Sequence, residues 1–98
     1  MARPQCPRLV RGEPDVVYFK PAGIPLRQLR EETLPIDQYE AIRLVDHEGL
    51  NHAEAALRMK VSRQTLGRIL LAARKKIALF LTQGTALRIE GGPILRHK

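Results

Sequence analysis

Only Lys60 and Val61 stand between the end of one predicted helix and the start of the next, and that spacing leaves the chain few options. Asn51 and Glu54 form a capping box, in which each side chain satisfies an orphan amide at a helix start. Ala53, Ala55, Ala56 and Met59 follow. Ser62 is the next N-cap, so this helix ends near Met59. A further helix then runs from Arg63 to about Leu81. Its apolar stripe is Leu66, Ile69, Leu70, Ala73, Ile77, Phe80 and Leu81, spaced three or four apart. Gln83-Gly84 ends it. Helices joined by so short a turn cross closely, and the crossing needs a small residue. Ala56 supplies it, Val61 plugs the crossing from the turn, and Leu66 faces it from the longer helix.

An earlier helix is expected over Gln38 to Glu48. Asp37 and Glu40 have capping-box spacing, Ile36 and Ala41 suit a hydrophobic staple, and Ala41, Ile42, Leu44 and Val45 lie on one helical face. Gly49 tolerates the positive φ of a helix stop. Before it, Pro4, Pro7, Pro14, Pro21 and Pro25 make the chain irregular. Val16 to Phe19 reads as one strand, followed by a turn at Pro21-Ala22-Gly23, and Leu26 to Glu32 as a helical turn or two. Ala86 to Glu90 alternates and is the only other strand-like run. A lone strand leaves its backbone unpaired, so these two runs are expected to pair, within one chain or between two. The expected fold class is mainly α: a helix-turn-helix with short N- and C-terminal β-strands. It divides into a proline-rich arm at 1–34, the helical unit at 35–83 and a tail at 84–98.

Composition narrows the function. Aromatic residues are 4% and Trp is absent, which suits packed helices. No apolar run reaches the roughly 18 residues of a membrane span. The first residues lack the apolar stretch of a secretory signal. The single cysteine, Cys6, has no partner for a disulfide or zinc pattern and reads as a free thiol on the arm. His47 and His52 read as surface residues. No Ser/His/Asp set, metal cluster or phosphate-cradling loop is visible, so no enzyme, cofactor or metal is expected. The expected setting is the cytoplasm.

Net charge is +7, and its distribution is uneven. Residues 51–81 hold seven Lys and Arg against one acid, whereas 35–50 hold one against four. The basic stretch is also the best helical one, which points to duplex DNA. Ser62 leaves first-turn amides free for phosphate. Arg63, Gln64, Thr65 and Arg68 lie off the apolar stripe and have the chemistry of base-edge readers: Arg for guanine, Gln for adenine, Thr for a thymine methyl or phosphate. Arg74, Lys75 and Lys76 form a charge run, solvated or facing phosphate. Gly67 weakens the helix and suits close approach to DNA or to another helix. A single unit of this size buries little surface, so a homodimer is expected.

The stretch IDQYEAIRLVDHEGLNHAEAALRMKVSRQTLGRIL resembles region four of the sigma-70 factors, whose helix-turn-helix reads promoter DNA. Together with ARPQC, YFKPAGIPLRQL and ALRIEGG, it makes nearly the whole chain resemble the domain-of-unknown-function family one hundred and thirty-four, described as predicted DNA-binding proteins. The resemblance implies a prokaryotic source, a sigma-region-four-like fold and DNA binding, and the leading expectation is a transcription regulator that binds duplex DNA sequence-specifically. Two positions depart from the pattern: Lys60 stands where the turn usually carries Gly, and Leu57 where a polar residue is usual. A protein-interaction module that contacts the transcription machinery without its own DNA site is the alternative. Asp37, Glu40, Asp46 and Glu48 would be its acidic face.

Overall fold

The caps and turn residues set the helices. A computed structural model describes residues 7–92 and 94–96. It shows a small compact domain of three helices and a short three-stranded sheet, with a separate two-stranded pair. In chain order these are β1 (Arg8–Val10), β2 (Tyr18–Phe19), a 3-10 turn at Leu26–Gln28, β3 (Glu31–Leu34), α1 (Ile36–Ile42), a π-helical turn at Arg43–His47, α2 (His52–Met59), α3 (Arg63–Gln83), β4 (Ala86–Ile89) and β5 (Ile94–Arg96). Cys6 lies outside the described residues.

The capping box at Asn51 and Glu54 forms as expected, with the Glu54 amide donating to Asn51 Oδ1 at 2.8 Å and the Asn51 amide to Glu54 Oε1 at 3.2 Å. Ser62 caps α3 by accepting from the Thr65 amide at 3.0 Å. Gly84, at φ 64°, closes α3 in the left-handed region.

The box expected at Asp37 and Glu40 does not form. Pro35 is the N-cap of α1, so the helix starts at Ile36 and places both acids inside it. Pro35 has no amide to donate, so no reciprocal box can be built on it. Asp37 and Glu40 are buried instead. Helical structure continues past Ile42 as the π-helical turn and stops before Gly49, at φ 80°.

Two apolar clusters result. The first packs Ala41 and Leu44 against Ala55, Ala56 and Met59 of α2 and Leu66, Ile69 and Leu70 of α3, with Val61 alongside. The expected roles of Ala56, Val61 and Leu66 in the crossing hold. Each buried Leu contributes about 1.5–3 kcal/mol. The second gathers Val10, Leu34, Ile36, Ala73, Leu87 and Ile89, with Phe80 packed against it. The α3 stripe is buried only as far as Ala73. Ile77 and Phe80 are half-buried, and Leu81, expected inside, is 71% exposed because it lies about 100° round the helix from Phe80, the side chain that meets the second cluster.

The expected strand pair is present within the single chain. β2 runs antiparallel to β4, with Tyr18 opposite Arg88 and Phe19 opposite Leu87. Three further strands correct the expectation that these were the only ones. β3 pairs parallel with the other edge of β4, Glu31 opposite Ala86 through Leu34 opposite Ile89. The stretch expected to be helical from Leu26 to Glu32 is thus one 3-10 turn followed by strand. β1 and β5 pair parallel, Arg8 opposite Ile94.

Candidate nucleic-acid interface

The turn between α2 and α3 is built from backbone. Lys60 adopts φ 56°, ψ 45°, a left-handed conformation otherwise left to glycine among the described residues. This is the turn position at which the resemblance led a glycine to be expected. The Val61 amide then donates to the Ala56 carbonyl at 3.0 Å, which folds the chain back so that Val61 reaches the core. α3 leaves this turn with no acid in its first turn, unlike α1 with Asp37 and α2 with Glu54. The positive end of its backbone dipole faces solvent beside Arg63 rather than a carboxylate.

Each expected site residue has a definite place. Ser62 and Thr65 turn toward one another: the Ser62 hydroxyl donates to Thr65 Oγ1 at 2.9 Å, so both hydroxyls serve the cap. Arg63, Gln64, Arg68 and Lys75 are exposed, and among the described residues their side chains have no hydrogen bond or ion pair. Arg74 and Lys76 differ. The Arg74 guanidinium grips Asp46 with Nε–Oδ2 at 3.1 Å and Nη2–Oδ1 at 2.6 Å, tying α3 to the π-helical turn. Hydrogen bonding from Arg74 holds the Asp46 carboxyl below its ordinary pKa. Lys76 Nζ lies 3.8 Å from Glu32 Oε2 on β3. The run Arg74 to Lys76 is therefore one free cation flanked by two that brace the fold. Arg58, in the last turn of α2, and Lys60, in the turn itself, add exposed cations beyond the site residues expected from the sequence. Their position next to the turn, rather than a place on the α3 face, is the signal that marks them.

The acidic face proposed for the first helix is taken apart by the fold. Glu40, 1% exposed, accepts from the Arg11 amide at 2.9 Å and from Arg43 at 2.7 and 3.0 Å. Arg43 also pairs with Glu48, and these bonds, Glu40 first, raise its already high pKa. Asp37 is buried 3.7 Å from Arg8, and burial raises its carboxyl pKa. With Asp46 held by Arg74, no run of free carboxylates remains on this helix. Tyr18 lies half-buried on the sheet, outside both apolar clusters. Its ring lies under Arg88, 4.8 Å from the guanidinium carbon, and its hydroxyl donates to Glu31.

Among the described residues no cluster of three His, Cys, Asp or Glu could hold a metal ion, and no helix is long and apolar enough to cross a membrane. A shallow hollow of about 200 Å³ on α3 is lined by Ala72, Lys75, Lys76 and Leu79, without convergent polar groups.

Known proteins bear on this surface only through relatedness. A UPF0251 protein of Desulfosudis oleivorans is 53% identical over 96 residues, covering 98% of this chain and 70% of the relative. Another, from Caldanaerobacter subterraneus, is 55% identical over 92 residues, covering 94% of this chain and 78% of its own. A third, from Methanosarcina acetivorans, is 46% identical over 94 residues, covering 96% of this chain and 84% of the relative. No solved structure matches the chain significantly. The family model described as "Protein of unknown function DUF134" matches residues 1–97, and the chain belongs to that family.

Proposed function

We propose that this protein binds duplex DNA as a transcription regulator, with α2, the Lys60 turn and α3 acting as a helix-turn-helix of the sigma-region-four kind. In this reading α3 enters the major groove from Ser62 onward. Arg63, Gln64 and Arg68 read base edges, Thr65 stays with the cap, and Lys75, with Arg58 and Lys60, holds phosphate. Arg74 and Lys76 add to the positive field while bracing the helix. Two copies bind two half-sites in the cytoplasm, without cofactor, metal or catalysis.

One observation carries the reading. The cations and the amide on the first turns of α3 are exposed and uncommitted, while the helix that bears them is fixed by the buried Ala56–Leu66 crossing. Cations left unpaired on a rigid helix with no first-turn acid suit an anionic partner.

Fluorescence anisotropy on duplexes selected from a random library tests it. Each phosphate contact contributes about −0.9 to the slope of log K against log salt, so a slope of several units is expected. Arg63→Ala or Gln64→Ala relaxes sequence preference, each bidentate contact being worth roughly 1–3 kcal/mol, whereas Lys75→Ala weakens all sequences alike. A uniform loss from all three variants overturns the roles. Leu57, 80% exposed on α2, favours a second reading in which the chain docks on the transcription machinery. Absence of duplex binding even at low salt would favour it.

A further inference from the structure

Gly67 sits inside α3, where a glycine weakens a helix relative to alanine. Nothing in the fold asks for it. Its φ is not positive, and outside its own helical turn and chain neighbours no atom lies within 4 Å of where a Cβ would stand. Of the two partners that would justify a glycine, a neighbouring helix of the same chain is therefore excluded, and an external surface is left.

The rest of the face has a matching character. Gln64, Gly67, Arg68, Leu71 and Lys75 follow at three- and four-residue steps, so they share one side of the helix. The buried residues Leu66, Ile69, Leu70 and Ala73 occupy the other side. Leu71 is 71% exposed, an apolar side chain among cations and an amide.

We infer that Gly67 and Leu71 form a seat for one base-pair edge in the major groove: the bare backbone at Gly67 lets α3 come close, and Leu71 covers the C5 methyl of a thymine. This rests on the DNA-binding reading above. Charge selects the occupant. A second copy of α3 on this face would set Arg68 and Lys75 against like charges, with no acid on the face to relieve them. A duplex brings phosphate to the same cations and apolar methyls to the same leucine.

The experiment uses the full chain and the best duplex selected from a random library. Gly67→Ala should raise the thermal midpoint by roughly 4–8 °C, since alanine is the better helix former, yet weaken binding at least about tenfold. A loss of affinity in a more stable protein cannot be blamed on unfolding. Replacing the contacted thymine with uracil removes one methyl and should cost the wild type about fourfold, the worth of one buried carbon. Leu71→Ala should be insensitive to that replacement. If the wild type binds duplex and Gly67→Ala binds it equally well, the seat is refuted and the DNA reading stands. Uracil costs equal in the wild type and Leu71→Ala, or absent in both, also refute it. A Gly67→Ala change that alters the mass in solution but not DNA affinity assigns the face to a second copy and refutes the seat. A wild type that binds no duplex refutes both.

Discussion

At the start of α2, Asn51 and Glu54 exchange hydrogen bonds with each other's amides in contact with water. At the start of α1, Asp37 and Glu40 stand at the same spacing and are buried, facing Arg8, Arg43 and the Arg11 amide. The difference lies in what precedes them. Asn51 follows a glycine-ended turn and keeps its amide, so the local box is available. Before Asp37 stands Pro35, directly after β3, and the helix begins two residues earlier than the side chains alone require. The Ile36 amide, an orphan at that end, donates to the Gly91 carbonyl at 2.9 Å. The two acids thus become long-range clasps, holding the N-terminal segment to the first helix. A spacing rule names residues able to cap; the chain's route decides whether they do.

The largest expected effect is at Glu40. Glu40→Ala leaves the Arg43 guanidinium without its main partner and the Arg11 amide without an acceptor, and should cost about 3–5 kcal/mol in urea unfolding. A cost below that of an ordinary cap would mean the clasp is dispensable, and the contrast with α2 would fail.

Gly12 probes the same clasp from the other strand of chain. A Cβ there would stand 2.8 Å from Arg43 Cδ and overlap the guanidinium itself. That group is held by Glu40 and Glu48 and cannot swing aside freely. Gly12→Ala should cost about 1–3 kcal/mol, as overpacking does, and the cost should shrink in an Arg43→Ala background. Equal costs in both backgrounds would place the strain elsewhere.

Asn51→Ala should cost about 1 kcal/mol, the usual worth of an exposed cap. A loss as large as that of Glu40→Ala would erase the distinction between a local device and a global one.

Titration gives the gentlest test. Burial raises the folded pKa of Asp37 above its ordinary value. Between those two pKa values the native state binds more protons than the unfolded chain, so stability falls as pH rises through that window. The midpoint of the wild type should therefore gain on that of Asp37→Asn during acidification from neutral pH. Parallel curves would show that Asp37 keeps its ordinary pKa.

Legibility follows the range of the interactions. The caps at Asn51 and Ser62, the crossing of Ala56 with Leu66, and the exposed face bearing Arg63, Gln64 and Arg68 depend on neighbours within a turn or two, so spacing revealed them. β1 and β5 are three residues each, and β3, Glu31-Glu32-Thr33-Leu34, has neither the β-rich run of Val16 to Phe19 nor the alternation of Ala86 to Glu90; each is made a strand by a partner far away in sequence. The commitment of Arg74 to Asp46, 28 residues earlier, and of Lys76 to Glu32 was hidden for the same reason. In the sequence these cations look equivalent to Lys75; only the fold separates braces from free charge.

The place of β4 between β2 and β3 has a consequence for synthesis. Its strand is the last of the three to leave the ribosome, and until Ile89 is made both partners present open hydrogen-bonding edges. The helices rest on local contacts and can associate while the chain is still growing; the sheet must wait for loop closure across the whole helical unit. During that interval Val16, Val17 and Phe19, apolar and exposed even in the finished protein, hang beside an unfilled gap. A nascent chain stalled before Thr85 is thus the state in which this molecule is most prone to stick to its neighbours.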